Sequence, residues 1–142
     1  MKIAVVDGQG GGIGHLIVEK LRQAFGSSLT IIGLGTNAIA TTAMLKAGAN
    51  EGASGENALV WNADRVDWIL GSVAIIAAHS FAGELSPRIA EAIAASEAPK
   101  LLIPLNRAGI ILSGLQSYSL PLQVDQMVET LKELIANQER MN

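Results

Sequence analysis

The sequence predicts a three-layer, doubly wound α/β domain built on a mainly parallel sheet. Three observations carry this. The apolar run Ile3-Ala4-Val5-Val6 leads straight into a glycine-rich turn and then a helical pattern, which reads as a strand buried on both faces followed by a crossover helix. Apolar runs of strand length recur between helical segments along the rest of the chain, the alternation that builds a parallel sheet. The 142 residues contain no internal repeat, low-complexity tract or linker, so 1–142 is expected to be a single domain, large enough for a core of its own.

After the first strand, a helix is predicted over 15–25, with Ile13, Ile17, Leu21 and Ala24 on one face and Gly26 as its stop. Residues 29–34 form the second strand. The next helix spans 37–47, with Thr36 as N-cap and Gly48 just past its end. It carries Ala38, Ile39, Ala40, Ala43, Met44, Leu45 and Ala47 against only Thr41, Thr42 and Lys46, so cover on more than one side is expected. A short strand at 50–54, a helix at 55–65 and a strand at 66–70 ending in Gly71-Ser72 follow. Residues 73–78 fit either a strand extension or a short buried helix, which periodicity does not separate. Ser86-Pro87 supplies a cap and a first-turn proline for a helix over 88–96. A strand at 100–105 comes next, then a C-terminal hairpin of 110–112 and 116–120 around Ser113-Gly114. Pro121 opens a final helix in which Val124, Met127, Val128, Leu131, Leu134 and Ile135 recur at helical spacing. The whole is Rossmann-like, with its ligand expected beyond the carboxyl ends of the strands.

Composition narrows the function classes. A net charge of −3, a pI near 5.3, 4% aromatics and the lack of a Lys/Arg cluster argue against nucleic acid as partner. No apolar run approaches the roughly 18 residues of a membrane span. The first strand begins too near Met1 for a signal peptide, so a cytoplasmic location is expected. There is no cysteine, and no histidine or carboxylate spacing suggests a metal site. Charged residues make up 16% of the chain, against about 25% in typical soluble domains. Part of the surface is therefore expected to be buried in a homo-oligomer, through helix 37–47 and its small residues Ala40, Ala43 and Ala47.

The stretch with chemical content is 2–14. Glycines stand at 8, 10, 11, 12 and 14 between the first strand and its helix, where free amides and the helix dipole favour an anion. Two spacings are legible, G-x-G-x-x-x-G at 8, 10 and 14 and G-x-x-x-G-x-G at 8, 12 and 14; Ile13 stands where the usual dinucleotide pattern needs its third glycine. The candidate binding residues are Asp7, Gly8, Gln9, Gly10, Gly11, Gly12, Ile13 and Gly14, then Gly35, Thr36 and Asn37 after the second strand, Ser72 after the fourth and Asn106 after the fifth. The expected ligand is a phosphate-containing small molecule, a nucleotide or dinucleotide of unassigned identity. The carboxylate that holds the ribose of NAD at the end of the second strand is missing, since that place reads Gly35-Thr36-Asn37. Asp7, at the mouth of the loop, could meet a metal–phosphate complex or a ligand amine, but is expected rather to accept the loop's own N–H groups. His79, Ser80 and Glu84 are the one acid–base grouping of interest, and the sequence assigns neither a catalytic residue nor a reaction.

The second spacing resembles the cofactor loop of the short-chain dehydrogenases, including Gly12-Ile13-Gly14. Their Tyr-x-x-x-Lys signature is absent, because Tyr118 is followed four residues on by Leu122. The segments Val5-Val6-Asp7-Gly8-Gln9-Gly10-Gly11-Gly12-Ile13-Gly14, Leu34-Gly35-Thr36-Asn37-Ala38, Lys46-Ala47-Gly48-Ala49-Asn50-Glu51-Gly52, Gly55-Glu56-Asn57-Ala58 and Ile103-Pro104-Leu105-Asn106-Arg107 together resemble a family of small bacterial proteins known only as a domain of unknown function. The resemblance implies a Rossmann-like fold and no particular activity. That family has Asn-Ser where this chain has His79-Ser80, which weighs against a catalytic His79. Two readings follow: a nucleotide- or phosphometabolite-binding protein, and an oligomeric structural or interaction protein whose glycine loop serves backbone packing alone.

Overall fold

The computed structural model describes residues 1–105 and 109–142. Its strands are β1 (Lys2–Asp7), β2 (Thr30–Gly35), β3 (Glu51–Ser54), β4 (Trp68–Ser72) and β5 (Lys100–Ile103), and its helices α1 (Gly12–Phe25), α2 (Ala38–Ala47), α3 (Glu56–Asn62), α4 (Pro87–Ala95) and α5 (Leu120–Met141). The strands form one parallel sheet in the order β3-β2-β1-β4-β5. The chain starts at the centre, winds out through β2 and β3, then returns past β1 to β4. Right-handed crossovers turn this reversal of direction into a change of face. The helices α1 and α2 cover one side together with α5, and α3 and α4 cover the other. The doubly wound α/β fold read from the sequence is the fold of the protein.

Alternation along β1 serves both cores. Ile3 and Val5 pack among Ile17, Leu21, Val124 and Leu131, while Ala4 and Val6 pack among Leu59, Ile75, Leu85 and Ile89. At the edge of the sheet away from the glycine loop, the Arg22 guanidinium donates to the carbonyls of Gly26 (2.9 Å), Leu29 (2.7 Å) and Gly48 (2.8 Å). It thereby joins the ends of α1 and α2 to the start of β2.

The glycines of β2 and β3 let α2 lie close to the sheet. A Cβ at Gly33 would stand 2.8 Å from Met44 Cβ, and one at Gly52 would stand 2.6 Å from Thr41 Cγ2. On its α1 side, Ala40 is fully buried and a Cβ at Gly11 would meet Ala40 Cα at 2.7 Å. This corrects the expectation for the small-residue face. Ala40 lies inside the protomer, while Ala43 and Ala47 are half-buried. The outward face carries Ile39, 70% exposed, and Leu45, 42% exposed.

Other details also depart from the sequence reading. The first helix begins at Gly12, so Gly12 and Gly14 lie within it. Asn37, not Thr36, caps α2, its Oδ1 accepting from the Ala40 amide at 2.9 Å. Residues Val73–Ile76 form a 3-10 turn, burying Ala74 and Ile75. The C-terminal hairpin does not form. Ser113-Gly114 is a turn, but its flanks run without a ladder; Leu115, Gln116 and Tyr118 instead line a cavity beside β5 and α5. The runs flanking that turn are too short to offset the ordering of a two-stranded ribbon without a third strand. Among the described residues, no helix is long and apolar enough to cross a membrane.

The stripe of α5 defines a contrast. Leu131 is fully buried and Leu134 is 37% exposed. Leu131→Ala is expected to lower the unfolding free energy by about 2–5 kcal/mol, and Leu134→Ala by roughly 1 kcal/mol or less, as measured by urea denaturation. Equal losses would show that α5 is seated differently on α1.

Candidate functional site

The carboxyl ends of β1, β2 and β4 meet on one edge of the sheet, and the glycine loop forms the centre of that edge. Asp7 ends β1 and is 4% exposed. Its Oδ1 accepts from the Gly8 amide at 2.8 Å and its Oδ2 from the Gly14 amide at 2.7 Å. The expectation that Asp7 would accept the loop's own N–H groups matches this geometry. The Gly11 amide donates to the Gly8 carbonyl (3.0 Å), closing the turn, and the His15 amide donates to the Gly11 carbonyl (2.8 Å). The amides of Gly12 and Ile13, at the start of α1, have no acceptor among the described residues. They adjoin a cavity of about 230 Å³ lined by residues 7–13, Phe81 and Leu120. The Ile13 side chain points into the core, so only its backbone is available to a ligand.

The five glycines fall into two classes. A Cβ at Gly8 would lie 2.6 Å from the Phe81 ring and 2.7 Å from Thr36 Oγ1, and one at Gly14 would lie 2.7 Å from Met44 Sδ. Gly11 is left-handed, with φ 73°, and touches α2. These three are required by the chain's own packing. At Gly10 and Gly12, a Cβ would meet no described atom within 4 Å, and neither has a left-handed φ. The structural spacing is therefore 8, 11 and 14, which is neither of the two spacings read from the sequence.

Beside the loop, Thr36 and Asn37 are drawn together by a residue that sequence reasoning had grouped elsewhere. Thr36 Oγ1 donates to Glu84 Oε2 at 3.1 Å, and Asn37 Nδ2 donates to Glu84 Oε1 and Oε2 at 3.3 and 3.1 Å. Asn37 Nδ2 also reaches the Gln9 carbonyl at 3.0 Å, tying this cluster to the glycine loop. The sequence offers no Asp or Glu at the end of the second strand, yet the fold brings a carboxylate there from the segment after β4. No local signal marks this, because 48 residues separate Glu84 from Thr36.

That segment is held in an unusual backbone. His79, Phe81 and Ala82 have φ of 69°, 58° and 55°, and Gly83 follows at 91°. Each left-handed non-glycine residue costs about 1 kcal/mol or more. Hydrogen bonds from the His79 amide to the Leu85 carbonyl (2.6 Å) and from the Leu85 amide to the Ser80 carbonyl (3.0 Å) hold the turn. Ser80 Oγ donates to the Ala77 carbonyl at 2.8 Å, and Glu84 faces Thr36 and Asn37. The His79, Ser80 and Glu84 side chains thus form no relay among these bonds.

Two of the remaining candidates make contacts within the fold. Gly35 ends β2 where a Cβ would collide with Thr41 Oγ1 and the Asn37 carbonyl. Ser72 is buried, and its Oγ accepts from the Ala74 amide at 3.3 Å. Asn106 lies outside the described residues. Among the described residues, no group of three or more His, Asp or Glu is arranged to hold a metal ion.

The Asp7 bonds yield a direct test. In Asp7→Asn the side-chain nitrogen cannot accept, so a buried loop amide loses its partner. The expected loss of stability is about 1–3 kcal/mol, read from the urea midpoint. An unchanged midpoint would show that the carboxylate does not fix the loop.

Comparison with known proteins adds the family and no chemistry. No curated protein and no solved structure matches the chain. The family described as a domain of unknown function, DUF3842, matches over residues 2–136. That match spans both cores, the glycine loop and the Glu84 cluster, and the chain belongs to this family.

Proposed function

We propose that the protein binds a phosphate-bearing small molecule, a nucleotide, at the glycine loop 8–14. The observation that carries this reading is the absence, among the described residues, of any packing reason for Gly10 and Gly12, which line the cavity at the start of α1. Two amides without a partner among the described residues and the positive end of the α1 dipole adjoin the same space. At about 230 Å³, the cavity suits a phosphate group, with the rest of the ligand extending beyond it. The competing reading, in which the loop serves packing alone, accounts among the described residues for Gly8, Gly11 and Gly14 but not for the other two.

Gly12→Val tests this cleanly, because the added side chain meets no described atom of the protein. The variant is expected to keep its stability within about 0.5 kcal/mol. Wild type with ADP at 100 times its dissociation constant should gain about 2.7 kcal/mol, and Gly12→Val should gain none. A folded variant that binds ADP as tightly as wild type would exclude the loop as the site.

A second proposal concerns assembly. The outward face of α2 supports pairing of copies through Ile39 and Leu45, beside an open groove of about 410 Å³ lined by His15, Ala38, Thr42, Ala43 and Lys46. Wild type is expected to sediment as a dimer or higher symmetric oligomer at high micromolar concentration. Ile39→Glu should shift it toward the 14.8 kDa chain mass, since the contact would bury an unpaired charge. A monomeric wild type would end this proposal.

A further inference from the structure

We infer that the Glu84 carboxylate, with Thr36, is a recognition site for the hydroxyls of a ribose, making the ligand of the glycine loop a ribonucleotide rather than a bare phosphate. This inference rests on the reading of the loop as a phosphate site. Three observations lead to it. Glu84 stands beyond the carboxyl end of β2, the strand next to β1, where a carboxylate meets the ribose in dinucleotide-binding sheets. The chain supplies it from the segment after β4 instead of from β2 itself. Asn37 joins it to the glycine loop through the Gln9 carbonyl, so the cluster and the loop are adjoining parts of one surface.

The hydrogen-bond inventory matches hydroxyls. An ionised carboxylate has about four acceptor sites, and it receives one proton from Thr36 at Oε2 and one Asn37 N–H shared between both oxygens, the other Asn37 N–H going to the Gln9 carbonyl. Oε1 therefore keeps capacity for a donor, and Glu84 is exposed to solvent. Thr36 Oγ1 gives its proton to Glu84 and so presents lone pairs to a second hydroxyl. An acceptor pair of this kind favours neutral hydroxyls over an anion. The amides of Gly12 and Ile13 offer the opposite polarity, donors for an anion. The third observation is the run of left-handed residues at 79, 81 and 82. It places Phe81 under Gly8 and Glu84 on Thr36 at the same time, so the strained turn supports both halves of the site.

The test compares ADP, 2′,3′-dideoxy-ADP and inorganic phosphate by calorimetry on wild type, Glu84→Gln and Gly12→Val. For wild type, ADP is expected to bind about tenfold or more tightly than the dideoxy analogue, the worth of one charge-assisted hydrogen bond. Glu84→Gln should bring ADP down to the dideoxy level and leave the dideoxy analogue and phosphate unchanged. Gly12→Val should remove all three. Equal binding of ADP and its dideoxy analogue, or binding of phosphate without ADP, would overturn the ribose site while leaving the phosphate site standing. Failure of all three to bind wild type would overturn both.

Discussion

The Asp7 carboxylate is the constraint from which the rest of the site follows. One oxygen holds the amide next to it and the other holds the amide of Gly14, so the end of β1 and the first turn of α1 are joined directly. Residues 8–13 then close as a short ring, and the helix must start at Gly12. That start brings Gly14 against Asp7 Cβ and Met44 Sδ, where no side chain fits. It also sets Gly11 against Ala40 of α2, and α2 settles on the glycines of β2 and β3. A negative group at a helix N-terminus gains about 0.3–1 kcal/mol, more where it is partly buried. Asp7 thus contributes to stability while it fixes the geometry.

The same carboxylate limits what the loop can hold. One first-turn amide is already occupied by an anion belonging to the chain. The Gly12 and Ile13 amides are what the first turn leaves for a ligand. Hydrogen bonds to a charged group contribute roughly 1.5–3 kcal/mol each, so two of them make only a modest anchor. A ligand of this loop needs further contacts from its uncharged part.

The fold was legible because its signals are local. Apolar runs of strand length, the Ser86-Pro87 start and the α5 stripe each read correctly within a few residues of the observed boundaries. The glycine loop was legible as a turn for the same reason, but which of its glycines packing requires was not. Which glycine is needed depends on Phe81, Ala40 and Met44, none of which is adjacent in sequence. The cap of α2 was misplaced by one residue because Thr and Asn are both good caps. The hairpin failed because turn chemistry at Ser113-Gly114 does not by itself supply a partner for the strands. Glu84 was out of reach, since only the topology brings the segment after β4 to the end of β2.

That topology is also what gives the surface its two polarities. A parallel sheet places every strand's carboxyl end on one edge, and the reversal between β1 and β4 leaves a crevice there. The loop after β1 fills the centre with backbone donors, because its glycines leave no side chains to compete. The turn after β4 crosses toward β2 and delivers a carboxylate, because Phe81 anchors it over Gly8 and left-handed residues bend it sharply. A strained backbone persists only where its surroundings over-determine it, and here Phe81, Leu85 and the Thr36–Glu84 bond do so together. Donors and acceptors are thereby held side by side on one sheet edge. A bare anion would use only the donor half, where Asp7 already holds the Gly14 amide.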